Sequence, residues 1–246
     1  MGGKIIDLKF NVPSNEIKAL ENAIKHALEI AFKEKQVLKT AYTEENLRYT
    51  VMLAISYINH FGTYPNDEHA DFHLCFQKQY HHQRAHKKNK KETLIPDIVS
   101  LKSNRKKNYS VNPLVIELKK DGRIAPESRS IGKDLFERIN QYSSCLESDI
   151  LKTRIYINNK DNFRFKYGVV INLVSEIDPS HLRYLQEMLQ RQQKEFREEY
   201  SSKPKKNLLF AWYNTEINKP ELIWLHQEKP VILGGIEKYY NIEVIN

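Results

Sequence analysis

"LIPDIVSLKSNRKKNYSVNPLVIELKK" (residues 94–120) is the stretch on which the rest of the chain turns. It opens with Pro96-Asp97 and closes with Glu117-Leu118-Lys119, each set in an apolar, β-branched run that reads as a strand. Side chains alternate along a strand, so Glu117 and Lys119 share a face with Val115, while Leu114, Ile116 and Leu118 point the other way into a core. By the same alternation Asp97 goes with Val99 and Leu101. If the two strands are neighbours, Asp97 and Glu117 converge. Two carboxylates that close repel unless a cation sits between them, and an oxygen-only ligand set suits Mg²⁺. Lys119 would stand over the same point, able to orient or help deprotonate a water, or to balance charge on a phosphate. The plain alternative is three ordinary charges at the ends of two strands.

Working outward, the N-terminal side reads as two helices. Residues 14–38 repeat Ile17, Leu20, Ile24, Leu28 and Ala31 at helical spacing, with Ser14 as the cap. A second helix runs from Thr43, its N-cap, to His60, burying Leu47, Val51, Ala54, Ile55 and Ile58. Glu44 lies one turn back on the face of Val51 and Ile55, positioned to reach a site on the sheet, and Glu45 projects about 100° further round. A glutamate in a first turn also simply complements the helix dipole. After the breaking "FGTYPND" come three strand-like segments, 71–80, 94–101 and 113–118.

On the C-terminal side, Ile131, Leu135, Ile139, Tyr142 and Leu146 mark a helix over 130–147. A strand over 167–174 follows, then a helix over 178–200 with Asp178 as cap and Pro179 at its first position. Strands over 207–214 and 221–227, joined by a turn over 215–220, close the chain. The order is helix, helix, three strands, helix, strand, helix, two strands, which implies one α/β domain over 1–246.

"PDIVSL", the basic loop and "VIELKK", preceded by "EENL" on a helix and followed by an amphipathic helix, resemble the PD-(D/E)xK nuclease superfamily. The resemblance covers 43–174 and implies a restriction-endonuclease-like core, a central mixed β-sheet flanked by helices. The N-terminal helical extension (1–42) and the C-terminal helix and strands (175–246) are additions to it. It further implies metal ligands Asp97 and Glu117, joined by the Leu118 carbonyl, with Lys119 as the catalytic lysine. Glu44 corresponds to the helix glutamate found in many members, and so counts as a further ligand and catalytic residue. The implied cofactor is Mg²⁺, with Mn²⁺ expected to substitute for it.

Charge and composition agree with a polyanion partner. The formal net charge is +8, and Lys and Arg bunch at 83–91, 102–107 and 119–123, flanking the opening stretch. Arg84, Lys87, Lys88, Arg105, Lys106, Lys107 and Lys120 are the expected phosphate contacts, with Tyr109 placed to stack on a base. His69 and His73 have a zinc-like spacing, but on an extended segment with no cysteine cluster they do not make a zinc site. His81, His82 and His86 line the same polyanion groove or a solvated hairpin tip. The apolar runs are too short to cross a bilayer, and the N-terminus lacks the apolar stretch of a signal peptide. Cys75 and Cys145 read as buried thiols, so a reducing cytoplasm is expected.

The expectation is a Mg²⁺-dependent endonuclease cutting phosphodiester bonds in DNA, of restriction or phage-defence type, plausibly a homodimer. The alternatives are a nucleic-acid-binding module of the same fold with weak or no cleavage, and a nuclease acting on RNA.

Overall fold

A computed structural model describes residues 16–56, 72–76, 80–83, 91–94, 96–102, 112–122, 138–139, 145–158, 165–174, 178–200 and 207–238. Helix α1 (Glu16–Leu38) buries Ala19, Leu20, Ala23, Ile24, Ala27, Leu28 and Ala31. These recur every three or four residues, and the alanines let the helix lie close to what it covers. The expected cap Ser14 lies outside the described residues. A single 3-10 turn, Lys39–Ala41, leads to α2 (Glu44–Ser56). Thr43 caps α2 as expected: the Asn46 N–H donates to Thr43 Oγ1 at 3.3 Å, and the Thr43 N–H donates to Asn46 Oδ1 at 2.8 Å. The expected continuation to His60 lies outside the described residues.

Among the described residues eight strands follow: β1 (Phe72–Phe76), β2 (Tyr80–Gln83), β3 (Lys91–Leu94), β4 (Ile98–Lys102), β5 (Asn112–Lys120), β6 (Phe165–Leu173), β7 (Asn207–Asn214) and β8 (Lys219–Trp224). Six form one sheet in the order β1-β4-β5-β6-β7-β8, and β2 and β3 pair separately. The pairs β1/β4, β4/β5 and β7/β8 are antiparallel, whereas β5/β6 and β6/β7 are parallel. Two expected strands therefore come apart. The 71–80 segment divides into β1 and the start of β2, and 94–101 divides at Pro96-Asp97 into the end of β3 and the start of β4. Pro96 brings no N–H to a ladder, so pairing cannot run through it, and Asp97 is left at a bend just before β4. At the far edge β8 begins at Lys219 rather than 221, and Pro220 is tolerated inside it because β8 is an edge strand.

Of the expected helix over 130–147, Arg138 and Ile139 are helical and Ile139 is buried, whereas Cys145 stands outside a helix and the buried Leu146 opens a separate helix, α3 (Leu146–Asn158). Ile131, Leu135 and Tyr142 lie outside the described residues. Helix α4 (Pro179–Tyr200) starts where expected, with the His181 N–H donating to Asp178 Oδ1 at 2.9 Å.

Helices cover both faces of the sheet. Ile98, Leu114, Ile116, Leu118, Val169, Ile171, Leu209 and Ala211 pack with α1 and α2. Val99, Val115, Val170, Leu208, Phe210 and Trp212 pack with α3 and α4. The alternation read along β5 is thus the observed one, and the protein is an α/β fold with a mixed sheet flanked by helices. Strand β6 passes under α3 at Gly168, where a Cβ would press into Thr153 Cγ2 and come within 2.9 Å of Ile157 Cγ2. The glycine is what lets helix and strand approach this closely.

At the end of β5, Asp121 takes a left-handed conformation (φ +53°) and its N–H donates to the Leu173 carbonyl at 3.0 Å. Lys35 reaches over from α1, donating to Asp121 Oδ1 at 2.7 Å and to Leu173 O at 3.1 Å. Burial draws the Lys35 pKa below its ordinary value, and Asp121 opposes that. No helix among the described residues is long and apolar enough to cross a membrane.

Candidate active site

The antiparallel pairing of β4 and β5 sets Ile98 opposite Ile116 and Val99 opposite Val115. One step further out, Asp97 at the entrance of β4 meets Glu117 and Leu118 near the exit of β5. The Leu118 N–H donates to Asp97 Oδ2 at 2.7 Å, which ties the two ends of the opening stretch together. Asp97 Oδ1 accepts from Arg48 Nη2 of α2 at 2.8 Å, and the same guanidinium also pairs with Glu45 through Nη1. Arg48 is 7% exposed, so this charge is set on Asp97 with little water around it.

Glu117 is buried on the α3 side of the sheet, at 2% exposure. Tyr156 OH donates to its Oε1 at 3.0 Å, and Lys152 Nζ lies 3.9 Å from its Oε2. Burial pushes the Glu117 carboxyl well above the usual carboxylate range, and the negative charges of Asp97 and Asp149 push it further. Lys152 and the Tyr156 hydroxyl act in the opposite direction. Asp149, on α3, is raised by burial too. Its Oδ1 accepts from Lys152 Nζ at 2.8 Å, whereas its buried Oδ2 accepts no hydrogen bond and has Lys119 Nζ at 3.9 Å. Burial alone would pull Lys152 down, but Glu117 and Asp149 outweigh it and hold the ammonium charged.

Asp97, Glu117 and Lys119 therefore belong to one electrostatic cluster. Leu118 enters it through its N–H, where the resemblance implies the carbonyl. Glu44 approaches from α2 with Oε2 3.4 Å from the Lys120 N–H, and Lys120 Nζ lies 3.4 Å from Asp121 Oδ2. Among the described residues no group of three or more His, Cys, Asp or Glu side chains is arranged to hold a metal ion. The expected trio Asp97, Glu117 and Glu44 is accordingly not assembled. The chemistry of the donors still fits a hard divalent cation: they are oxygens only, desolvated, and carry mutually repelling charge. A carboxylate already accepting one hydrogen bond per oxygen keeps lone pairs for an ion. The set available is two carboxylates, Asp97 and Glu117, with the main chain between Glu117 and Lys119. Arg84, Lys87, Lys88, Arg105, Lys106, Lys107 and Tyr109 lie outside the described residues.

Sequence reasoning missed Arg48, Asp149, Lys152 and Tyr156. The last three share one face of α3 at spacings of three and four residues, in "DILKTRIY". That spacing, on the helix that follows Glu117-Leu118-Lys119, is the signal that would have found them. No protein-family model, curated protein or solved structure matches the chain.

Proposed function

We propose that this protein is a metal-dependent nuclease of the PD-(D/E)xK kind that hydrolyses phosphodiester bonds in DNA. The observation that carries the reading is the 2.7 Å hydrogen bond from the Leu118 N–H to Asp97, which sets the Pro-Asp element against the Glu-Leu-Lys element. Asp97, Glu117 and the Leu118 carbonyl would hold a Mg²⁺, which would supply stabilisation for negative charge on the phosphate. Lys119, on the same face as Glu117 and 27% exposed at its side chain, orients the attacking water and offsets phosphate charge. Tyr156 and Lys152 keep Glu117 in place and favour its ionised form. Arg48 fixes the direction of the Asp97 carboxylate. The net charge of +8 suits a polyanionic substrate.

Supercoiled DNA and single-stranded RNA are incubated with wild type and Lys119→Ala in Mg²⁺, Mn²⁺ or EDTA. The expected result is metal-dependent nicking or linearisation of DNA by wild type, with binding but no cleavage by the variant. Cleavage confined to RNA transfers the reading to that substrate. Binding without cleavage by both proteins favours the nucleic-acid-binding module. Identical cleavage by both on every substrate removes Lys119 from the chemistry and sinks the proposal.

A further inference from the structure

Lys119 is bounded on three sides. Across the sheet its partner is Asn172 on β6, buried at 2% exposure. Asn172 Oδ1 accepts from the Gly122 N–H at 3.2 Å, which folds the chain leaving β5 back beside the lysine. A Cβ at Gly122 would stand 2.7 Å from Lys119 Cγ and 3.1 Å from Asn172 Oδ1, so the glycine leaves the space that the lysine stem occupies. From the helix side comes Asp149, whose side chain is 2% exposed. Lys152 satisfies its Oδ1, but its Oδ2 is buried without a hydrogen bond and has the Lys119 ammonium at 3.9 Å. A carboxylate oxygen withheld from water attracts a nearby ammonium far more strongly than one at the surface. An acid in the first turn of a helix ordinarily faces solvent and complements the dipole. Asp149 is instead buried against β5.

We infer that Asp149 is a positioning residue, whose buried Oδ2 holds the Lys119 ammonium on the Glu117 side of the sheet while Gly122 and Asn172 shape the passage for its stem. The consequence for cleavage rests on the reading of Lys119 as the catalytic lysine, whereas the arrangement itself does not.

The test labels the full-length protein with a limiting amine-reactive ester and follows each lysine by mass spectrometry, with the exposed Lys219 as internal reference. Asp149→Asn should raise the Lys119 labelling rate severalfold, and Asp149→Glu should bring it back toward wild type. Gly122→Ala, which crowds the stem without touching Asp149, should also change Lys119 labelling, and it serves if the Asp149 variants do not fold by circular dichroism. In cleavage, Asp149→Asn should lose about tenfold or more in kcat with little change in KM. Unchanged Lys119 labelling in folded Asp149→Asn, or in Gly122→Ala if the former is unfolded, overturns the inference. If labelling shifts as expected but wild type cleaves no substrate, Asp149 still positions Lys119 and it is the nuclease reading that falls.

Discussion

Gly168→Ala is the sharpest perturbation of the frame behind the site. The added methyl would meet Thr153 Cγ2 well inside 3.0 Å and Ile157 Cγ2 at 2.9 Å, both on α3, whereas ordinary contact begins at 3.4 Å. Both groups are β-branched methyls fixed to the helix backbone, so they cannot swing aside, and α3 must lift from β6 by about 1 Å. Overpacking of this kind costs about 1–3 kcal/mol, to be read as a lower urea midpoint at unchanged slope. The same displacement moves Asp149, Lys152 and Tyr156, and a misplacement of about 1 Å can cost on the order of a hundredfold in rate. Thr153→Ser supplies the control. It deletes Cγ2 yet keeps the hydroxyl that donates to the Asp149 carbonyl at 2.7 Å. The double variant should therefore recover most of the stability and cleavage lost by Gly168→Ala. A stability loss below about 0.5 kcal/mol in the single variant, or no recovery in the double, would refute the close packing of α3 on β6.

Three further outcomes follow from the charges. In EDTA, the folded state holds a proton on Glu117 at pH values where the unfolded chain has released it. Stability should therefore fall as pH rises from the ordinary carboxylate range through the folded pKa of Glu117, with Asp149 adding to the same slope. Glu117→Gln should flatten that fall in urea melts between about pH 5 and pH 8, and an unchanged slope would remove Glu117 as its source. Arg48→Gln takes a cation off Asp97 and should tighten Mn²⁺ binding about tenfold by calorimetry, and weaker binding would refute the expectation by showing that the aim Arg48 gives the carboxylate outweighs the charge it sets against the ion. Arg154 is buried and bonds Gln192 at 2.9 Å, Glu195 at 3.0 Å and Glu199 at 2.7 Å, tying α3 to α4. Arg154→Ala should cost about 3–5 kcal/mol in chemical denaturation, and a loss under about 1 kcal/mol would show these carboxylates to be well solvated without it.

What was legible in the sequence was legible for a geometric reason. Strand β5 has a strict two-residue period, so the facing of Leu114, Ile116 and Leu118 against Val115 and Glu117 could be read directly, and the meeting of Asp97 with that strand followed once β4 lay beside it. Helix α3 was hidden because burial there does not follow a stripe. Glu147, Ser148, Asp149, Thr153 and Arg154 are all buried alongside Leu146, Ile150 and Leu151, so polar residues fill positions that a periodicity search expects to be wet. Their partners, Arg138, Gln192 and Glu195 among them, come from elsewhere in the chain and cannot be foreseen locally. The cations on the site acids were missed for the same reason: Arg48 reads as a helix surface residue until Asp97 arrives beside it.

The corner at Asp121 bears on how the lysine face is chosen. Parallel strands β5 and β6 have no hairpin to fix their registration, and a slip of one residue would turn Glu117 and Lys119 toward α1 and present Leu118 and Lys120 in their stead. The left-handed turn accepts an aspartate more readily than most side chains, and the buried Lys35 needs a carboxylate at that point. A chain arriving one residue out of step would bring Lys120 to the corner, ammonium against ammonium. The clamp at the end of the strand thus acts as a stop that recognises a single alignment, and through it α1, which supplies no group to the site cluster described here, decides which side chains the site receives.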